Sequence, residues 1–252
     1  SISSGFTRVK NGKKDFYSYL RKFKRGLYRK TIGKILYTGA SKVAIFSENE
    51  RDGIREFYPL AHKKIIYYKW GVDDKLNIGK DRLENIDKIK IIFWGRIDYY
   101  YKGIDKIIEI LNNNNNGFMM YFCGPDYNNG KEVLERKIKK LGLNAKVVNS
   151  EHTRGTLGLL NSADYSILLS RWDWFPRSLR ESLRLGVPII VSKETNFDIV
   201  LSEYNAGFVI ETMLDFDKVI SGKQRLTVSD DCKKSLLWES VVSDLFVKIE
   251  KI

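Results

Sequence analysis

Residues 89–124 read IKIIFWGRIDYYYKGIDKIIEILNNNNNGFMMYFCG, and this stretch indicates the architecture of the protein most clearly. It begins with an apolar run, crosses a polar loop, and then spaces Ile104, Ile107, Ile108 and Leu111 three and four residues apart. A second apolar run follows an asparagine-rich turn. The pattern predicts a strand, an amphipathic helix and another strand, which is the repeating unit of a parallel sheet.

The same alternation continues to residue 210. Between the predicted strands lie helical patterns, one of them carrying Leu179, Leu183 and Leu185 on one face. Apolar strands that alternate with helices predict an α/β domain with a Rossmann-like parallel sheet, whose ligands bind at the carboxyl ends of the strands. The predicted strands are Ile89–Trp94, Phe118–Phe122, Ala145–Val148, Tyr165–Leu169, Pro188–Ser192 and Phe208–Ile210.

Shorter elements precede and follow this domain. Val43–Phe46 and Ile65–Tyr68 are strand patterns, and Ser47 with Glu50 has the spacing of a capping box that begins a helix. A charged stretch at 74–88 is interpreted as a loop. We therefore expect three parts: a partial, mostly helical N-terminal segment with its linker over 1–72, the sheet domain over 73–230, and a C-terminal helix over 231–252. Apolar residues four apart along Lys234–Ile252 predict that this helix is amphipathic.

The net charge of +13 is concentrated at one end of the chain. Residues 1–42 carry twelve Lys and Arg against one acid, a net charge of +11, whereas the other 210 residues carry 32 basic and 30 acidic residues. The segment Lys14–Tyr37 places Phe16, Leu20, Phe23, Leu27 and Ile35 at helical spacing between cations, which predicts a basic amphipathic helix.

Three interpretations of this basic helix stay open. It is a surface helix whose apolar stripe packs on a core, a patch at residues 8–42 that lies on an anionic membrane surface, or a nucleic-acid-binding segment. Nucleic acid is the least favoured because no RRM, KH, zinc-finger or helix-turn-helix pattern accompanies the charge, and we expect no nucleic-acid partner.

Composition excludes several classes of protein. With 43% hydrophobic residues the chain can bury a core, and its two cysteines, Cys123 and Cys232, form no disulfide framework. No apolar run approaches the roughly 18 to 20 residues that span a bilayer, and the N-terminus has no signal-peptide pattern. We expect a cytoplasmic protein, and the membrane interpretation of the basic helix would make it peripheral on the inner face of the membrane.

Common catalytic motifs are missing from the sequence. No G-x-G-x-x-G follows a strand, and there is no P-loop, serine elbow, HExxH or CxxC string. The DxD string at Asp215–Asp217 falls in a helical pattern and predicts a solvated face.

Two stretches at predicted strand ends carry polar groups suited to a nucleotide. Gly95-Arg96 follows the first sheet strand and Lys102-Gly103 opens the next helix, so two cations lie where a diphosphate can bind. After the fourth strand, the sequence DWFPRSLRE places Asp173 and Glu181 eight positions apart around the start of a helix. Free backbone N–H groups at this start suit phosphate oxygens, whereas the carboxylates suit hydroxyls such as those of a ribose.

The two stretches together resemble the GT-B glycosyltransferases, in particular the retaining family 4. GRIDYYYKG is similar to that family's GR-x(n)-KG element, and DWFPRSLRESLRLGVPII is similar to its E-x7-E element with the strand that follows. SENERDGIREFYP and the turn GVD resemble the end of the family's N-terminal domain and its linker. The resemblance spans about residues 40–215. In the family the last helix crosses back onto the N-terminal domain, so the resemblance implies that the C-terminal helix over 231–252 packs on the N-terminal segment. The alternative is a terminal helix that packs on the sheet domain.

The resemblance implies a role for each matching residue. Arg96 and Lys102 would neutralise the diphosphate, Glu181 would hold the ribose hydroxyls, and Asp173 would contact the transferred sugar. The base would lie near Asn149–Arg154, where His152 is left without a role. The backbone around the second stretch would hold phosphates, so the residues expected to bind the donor are Gly95, Phe175, Pro176, Arg177 and Ser178.

The function implied is transfer of a sugar from a nucleoside-diphosphate sugar, with UDP favoured, to a saccharide or lipid-linked acceptor in cell-surface polysaccharide synthesis. The resemblance implies no metal and no further cofactor, because Arg and Lys supply the positive charge. The alternatives are a non-catalytic nucleotide- or sugar-binding module and a basic nucleic-acid binder. The sequence departs from the family at Asp173, where a Glu is usual, at Trp70, where an Asn is usual, and in holding only the last elements of the N-terminal domain.

Overall fold

A computed structural model describes residues 23–24, 26–113, 117–148, 153–222 and 226–250. These residues form two compact units: the described residues up to Tyr68, with 247–250, belong to the first, and those within 69–246 belong to the second. Each unit has its own hydrophobic core.

The second unit is built on a sheet of six parallel strands. Its strands are β3 (Ile89–Trp94), β4 (Phe118–Cys123), β5 (Ala145–Val148), β6 (Tyr165–Leu168), β7 (Ile189–Val191) and β8 (Gly207–Val209). They lie in the order β5-β4-β3-β6-β7-β8, and every neighbouring pair is parallel. The predicted Rossmann-like sheet is confirmed, with each predicted strand within two residues of its observed bounds. The order runs outward in both directions from β3 and β6, as in the doubly wound folds.

Helices connect successive strands of this sheet. They are α4 (Ile104–Asn113), α5 (Gly130–Leu141), α6 (Thr153–Asn161), α7 (Arg177–Arg184) and α8 (Asp198–Tyr204), with a 3-10 turn at Lys193–Thr195. A further helix, α9 (Met213–Ser221), follows the last strand, β8. α9 explains the DxD string, because Thr212 and Asp215 form a capping box at its start and Phe216 is buried. Hydrogen bonds from Thr212 and Glu211 lower the pKa of Asp215, so this carboxylate acts as a helix cap.

Side chains on both faces of the sheet are buried, as near-continuous apolar strands require. On one face Phe93 and Phe122 pack with the isoleucines of α4, and on the other Ile92 and Tyr121 pack with leucines of α6. The loop at 74–88 lacks regular structure, as expected, and Leu83 anchors it in the second of these clusters. The sheet is therefore a rigid platform for the loops at its carboxyl edge.

The first unit contains a two-stranded parallel sheet, β1 (Val43–Ile45) with β2 (Ile65–Tyr67). A π-helical turn at Arg29–Gly33 leads into α1 (Lys34–Gly39), and α2 (Glu48–Phe57) and α3 (Pro59–His62) lie between the strands. Ser47 Oγ accepts the Glu50 N–H at 3.3 Å, as the capping pattern predicts, and the Glu50 carboxylate accepts the Phe46 N–H. Burial raises the pKa of this carboxyl group.

The C-terminal part differs from the single helix predicted over Lys234–Ile252. Two helices form instead, α10 (Asp230–Ser235) and α11 (Trp238–Glu250). They are separated because the carbonyl of Leu236 accepts the N–H of Val72 at 2.7 Å, and Val72 pairs with Leu237 in a β-bridge. The helix is therefore interrupted at Leu236, whose carbonyl pairs with Val72 and not with a residue of the next turn.

The helix of the basic segment exposes the apolar side chains that the sequence placed on one face. Among the described residues, Phe23, Leu27 and Ile35 are 65%, 55% and 71% exposed. The buried face carries Gly33, and Tyr37 stacks on Tyr58 with ring centroids 4.5 Å apart. The interpretation that this stripe packs on a core is therefore wrong for these three residues, whereas Phe16 and Leu20 lie outside the described residues.

Cys123 and Cys232 are both buried. Burial raises the pKa of the Cys232 thiol to about 11. Among the helices of the described residues, none is long and apolar enough to cross a membrane.

Candidate functional site

The strand order reverses between β3 and β6, and a cavity of about 680 Å³ opens at the carboxyl ends of these strands. Crevices at such a reversal are the usual ligand sites of open α/β sheets. The lining comes from the loops after β3, β4 and β6, from the start of α7 and from Trp70. All nine predicted site residues line it: Gly95, Arg96, Lys102, Asp173, Phe175, Pro176, Arg177, Ser178 and Glu181.

Lys102 and Asp173 form an ion pair inside this cavity. Lys102 Nζ donates to Asp173 Oδ2, and both side chains are at least four-fifths buried. The same oxygen accepts Ser170 Oγ at 3.2 Å, and Oδ1 accepts the backbone N–H of Trp174 at 3.0 Å. The family resemblance assigns the two residues to different parts of a ligand, and the structure places them in direct contact.

Glu181 is held from two sides. Its side chain is 2% exposed, although it lies only one turn inside α7. Arg177 Nε donates to Oε1 at 2.8 Å, and the indole Nε1 of Trp94 donates to Oε2 at 3.0 Å. Because a buried carboxylate is stable only when it is paired or hydrogen-bonded, these two donors keep Glu181 in place as an acceptor.

Arg96 lies at the exposed side of the cavity, with half of its side chain accessible. Its guanidinium stacks 4.3 Å from the ring centroid of Tyr127, which follows β4, and lies 3.8 Å from the Asp98 carboxylate. Arg96 is therefore available to an incoming anion, and its guanidinium is supported by an aromatic ring.

The loop before α7 is shaped by a strained residue. Phe175 has a φ of +49° and stacks on Phe197 with ring centroids 4.3 Å apart, so its buried side chain fixes the turn. Pro176, which has no N–H, directly precedes the first turn of α7. The N–H groups of a first helical turn have no intrahelical acceptor, and Arg177 and Ser178 of this turn line the cavity.

Arg171 joins the loop after β6 to the loop after β3. Its guanidinium donates to both carboxylate oxygens of Asp105 at 2.6 Å and to the carbonyl of Tyr100 at 2.6 Å. The hydrogen bonds to Asp105 raise the pKa of Arg171, and burial with the nearby Asp105 charge raises the pKa of Tyr99. This contact ties together the two loops that carry Lys102 and Asp173.

Sequence reasoning missed several residues of the site. It placed Trp94 only at the end of a strand, and it singled out neither Arg171 nor Tyr127. The sequence offers one signal for Trp94, because alternation along β3 puts it on the same face as Ile92, while its position directly before Gly95-Arg96 puts it at the ligand edge. The predicted base-binding loop cannot be compared, since 149–152, including His152, lie outside the described residues.

One protein family matches most of the chain. A family model described as "Glycosyl transferases group 1" matches residues 74–223, which is more than half of the sequence. A search of curated proteins finds no significant match.

Solved structures resemble the fold. The apo form of the lipopolysaccharide outer core galactosyltransferase WaaB matches with a TM-score of 0.67 and 15% identity over 84% of this chain and 62% of that one. Sucrose-phosphate synthase from Thermosynechococcus elongatus matches with a TM-score of 0.67 and 14% identity over 91% and 61%. Anabaena HepE in complex with UDP and glucose matches with a TM-score of 0.64 and 13% identity over 88% and 66%.

At these identities the likeness shows the fold, and it confirms the predicted GT-B resemblance. The chain spans about three fifths of the length of the first two solved structures. The family model covers the stretch from Gly95 to Glu181, which holds the nine predicted site residues. The chain belongs to the glycosyl transferases group 1 family.

Proposed function

We propose that this chain forms the donor-binding part of a glycosyltransferase that takes a sugar from a nucleoside-diphosphate sugar, with UDP favoured. The observation that carries the proposal is that Arg96, Lys102, Asp173 and Glu181 line one cavity at the reversal of the sheet. Family membership supports the reaction class, and the binding of UDP and glucose by the similar HepE structure supports the donor class.

The two cations suit the departing diphosphate. When the bond between the sugar C1 and the phosphate oxygen breaks, the electron pair leaves with that oxygen, and negative charge grows on the nucleoside diphosphate. Lys102 and Arg96 would stabilise this charge from inside a partly closed cavity, where electrostatic interactions are stronger than in bulk water. The cations would thus supply the positive charge that other enzymes take from a metal.

Asp173 has two roles in this proposal. A carboxylate has about four lone-pair sites, and Lys102, Ser170 and the Trp174 N–H use three of those on Asp173. The remaining site would accept a hydroxyl of the transferred sugar. Before a donor binds, the ion pair with Asp173 would keep Lys102 in the cavity. After the donor binds, the positive charge of Lys102 would interact with both Asp173 and the diphosphate.

The acceptor and the stereochemistry rest on the family resemblance. We propose a saccharide or lipid-linked saccharide acceptor, retention of configuration as in family 4, and a role in cell-surface polysaccharide synthesis. The similar fold of WaaB, which is named as a lipopolysaccharide outer core galactosyltransferase, supports this proposal.

A donor-consumption assay separates an enzyme from a binding module. The protein is incubated with UDP-, GDP- and ADP-sugars, with and without saccharide acceptors, and release of the nucleoside diphosphate is followed. Release above that of a Glu181→Gln variant supports a transferase. If the protein binds nucleotides but releases no nucleoside diphosphate from any donor, the non-catalytic binding module is favoured. A salt-sensitive gel shift of nucleic acid would favour the basic nucleic-acid binder.

We also propose that the first unit attaches to an anionic membrane surface, on the cytoplasmic face expected from the sequence, and the exposed side chains of its basic segment support the attachment. Phe23, Leu27, Ile35 and Leu36 are each more than half exposed, and the same segment carries exposed Lys24, Lys30 and Lys34. A helix with large apolar side chains beside cations is typical of segments that lie in the interface of a bilayer. Each cation near an anionic surface contributes about 1 kcal/mol.

Sedimentation with vesicles tests this attachment. The protein should bind vesicles that contain phosphatidylglycerol and not those of phosphatidylcholine alone, and 1 M salt, where the Debye length is about 3 Å, should release much of it. Exchanging Lys24, Lys30 and Lys34 for Glu, or Leu27 and Ile35 for Gln, should reduce binding. Leu214→Gln, at a 70% exposed position of the second unit, is the matched control. Equal sedimentation with both lipids at low salt contradicts the attachment.

A further inference from the structure

Trp94 donates a hydrogen bond to the Glu181 carboxylate. Trp94 lies outside the two sequence elements that resemble the family, so the resemblance does not account for this contact. It is the last residue of β3, and its indole Nε1 donates to Glu181 Oε2 at 3.0 Å. The opposite oxygen, Oε1, accepts from Arg177. Each oxygen of this buried carboxylate therefore has one protein donor.

This arrangement leaves a defined acceptor capacity. Of the approximately four lone-pair sites of a carboxylate, two are used, and one remains on each oxygen. Two hydroxyls on neighbouring carbons, as in a ribose, require two acceptor sites side by side. With Trp94 and Arg177 bound, the Glu181 carboxylate can therefore accept one hydrogen bond on each oxygen, as a vicinal diol requires.

The two donors differ in rigidity. Arg177 has a side chain that is 66% exposed, so it loses conformational entropy whenever it holds one geometry. Trp94 is fixed at a strand end and packs with the cluster that includes Tyr121 and Leu160. Its indole N–H is a donor and never an acceptor, so it cannot compete for the hydroxyl protons of a ligand.

We propose that Trp94 is a positioning residue for ribose recognition: its indole N–H sets the orientation of the Glu181 carboxylate, which accepts the 2′- and 3′-hydroxyls of the donor nucleotide. The inference rests on the proposed nucleotide-binding function. Because Trp94 directly precedes Gly95-Arg96, the end of one strand determines the placement of both the ribose acceptor and a diphosphate cation.

The test compares UDP with 2′,3′-dideoxy-UDP by calorimetry. The parent protein should bind UDP more tightly, because the dideoxy nucleotide leaves Glu181 without its two hydroxyls. In Trp94→Phe, which keeps an aromatic ring and loses the donor, we expect the UDP affinity to fall about fivefold and the preference for UDP to shrink toward one. Trp172→Phe, at a 38% exposed tryptophan, is the matched control and should keep the preference.

Further variants make the outcomes distinct. In the Glu181→Gln background, Trp94→Phe should cause no additional loss of preference, because the group it orients is already changed. An unchanged preference in folded Trp94→Phe overturns the role of Trp94. An unchanged preference in Glu181→Gln instead overturns the ribose assignment of the proposed function. If Trp94→Phe does not fold, Trp94→His replaces it, because histidine keeps a ring N–H. Trp94→His should retain the preference for UDP over the dideoxy nucleotide. Loss of that preference in a folded Trp94→His variant contradicts the inference.

Discussion

Gly103 shows how a single residue holds the site together. It has a φ of +68°, and a Cβ at this position would lie 1.9 Å from the carbonyl oxygen of Leu169, the residue directly after β6. The residue before it is Lys102, so the close approach brings the lysine to the loop that carries Asp173. A residue with a side chain cannot occupy this position without moving one of the two loops.

Gly103→Ala should therefore destabilise the protein by about 2–4 kcal/mol, since it adds backbone strain and a clash with main-chain atoms. Thermal unfolding measures the loss. Gly117→Ala is the matched control, because Gly117 has a φ of +85° and an added Cβ would meet nothing within 4 Å, and it should lose only about 1 kcal/mol. Equal losses in the two variants would show that the contact with Leu169 has no energetic importance.

Glu181 and Asp173 should respond differently to removal of their charge. Glu181→Gln should weaken binding of bare UDP more than Asp173→Asn, because Glu181 is proposed to hold the ribose and Asp173 the sugar. Asp173→Asn should reduce the preference for a sugar nucleotide over the bare nucleotide. Calorimetry with UDP and UDP-sugars measures both effects. If both variants bind UDP like the parent, the ribose contact is assigned to the wrong residue.

Among the strands and loops, the site depends on two loops that leave adjacent strands, β3 and β6. Arg171 connects them, with hydrogen bonds to Asp105 and to the carbonyl of Tyr100. A lysine cannot make the paired hydrogen bonds of a guanidinium with a carboxylate.

Arg171→Lys should lower the unfolding free energy by about 1–2 kcal/mol and weaken UDP binding severalfold, because the loops that carry Lys102 and Asp173 lose their common anchor. Chemical denaturation and calorimetry measure the two quantities. Lys218→Arg, at a side chain 80% exposed, is the control for a change between Lys and Arg. A loss of stability with unchanged UDP affinity would limit Arg171 to a structural role.

The strands and helices also show what can be predicted from sequence. Parallel strands buried on both faces and helices with a 3.6-residue period are local patterns, so residues 89–210 are sufficient to predict the sheet. The interruption between α10 and α11 was not predictable, because it depends on a hydrogen bond between Val72 and Leu236, which are distant in the sequence. The contacts of Trp94 with Glu181 and of Arg171 with Asp105 were missed for the same reason.

Across the chain, the concentrated positive charge and the ligand site belong to different units. The described residues of the basic segment, 23–24 and 26–42, belong to the first unit, and the cavity-lining residues, from Trp70 to Glu181, belong to the second. The proposed nucleotide site is therefore contained in the second unit, and its binding can be measured independently of acceptor, membrane and transfer. The sequence could place Arg96 and Lys102 at one sheet edge, whereas the pairing of Lys102 with Asp173 required the structure.

Calorimetric titration of the protein with UDP, UMP and uridine is the sharpest test of the proposed donor site. We expect UDP to bind more tightly than UMP and uridine, and Lys102→Ala or Arg96→Ala to weaken UDP binding about tenfold or more, with a smaller effect on UMP and none on uridine. GDP, titrated in parallel, determines whether UDP is the favoured nucleotide. Equal losses for UDP and uridine in folded variants, or no binding of either nucleoside diphosphate by the folded parent, would contradict the proposal that this cavity holds a nucleoside diphosphate.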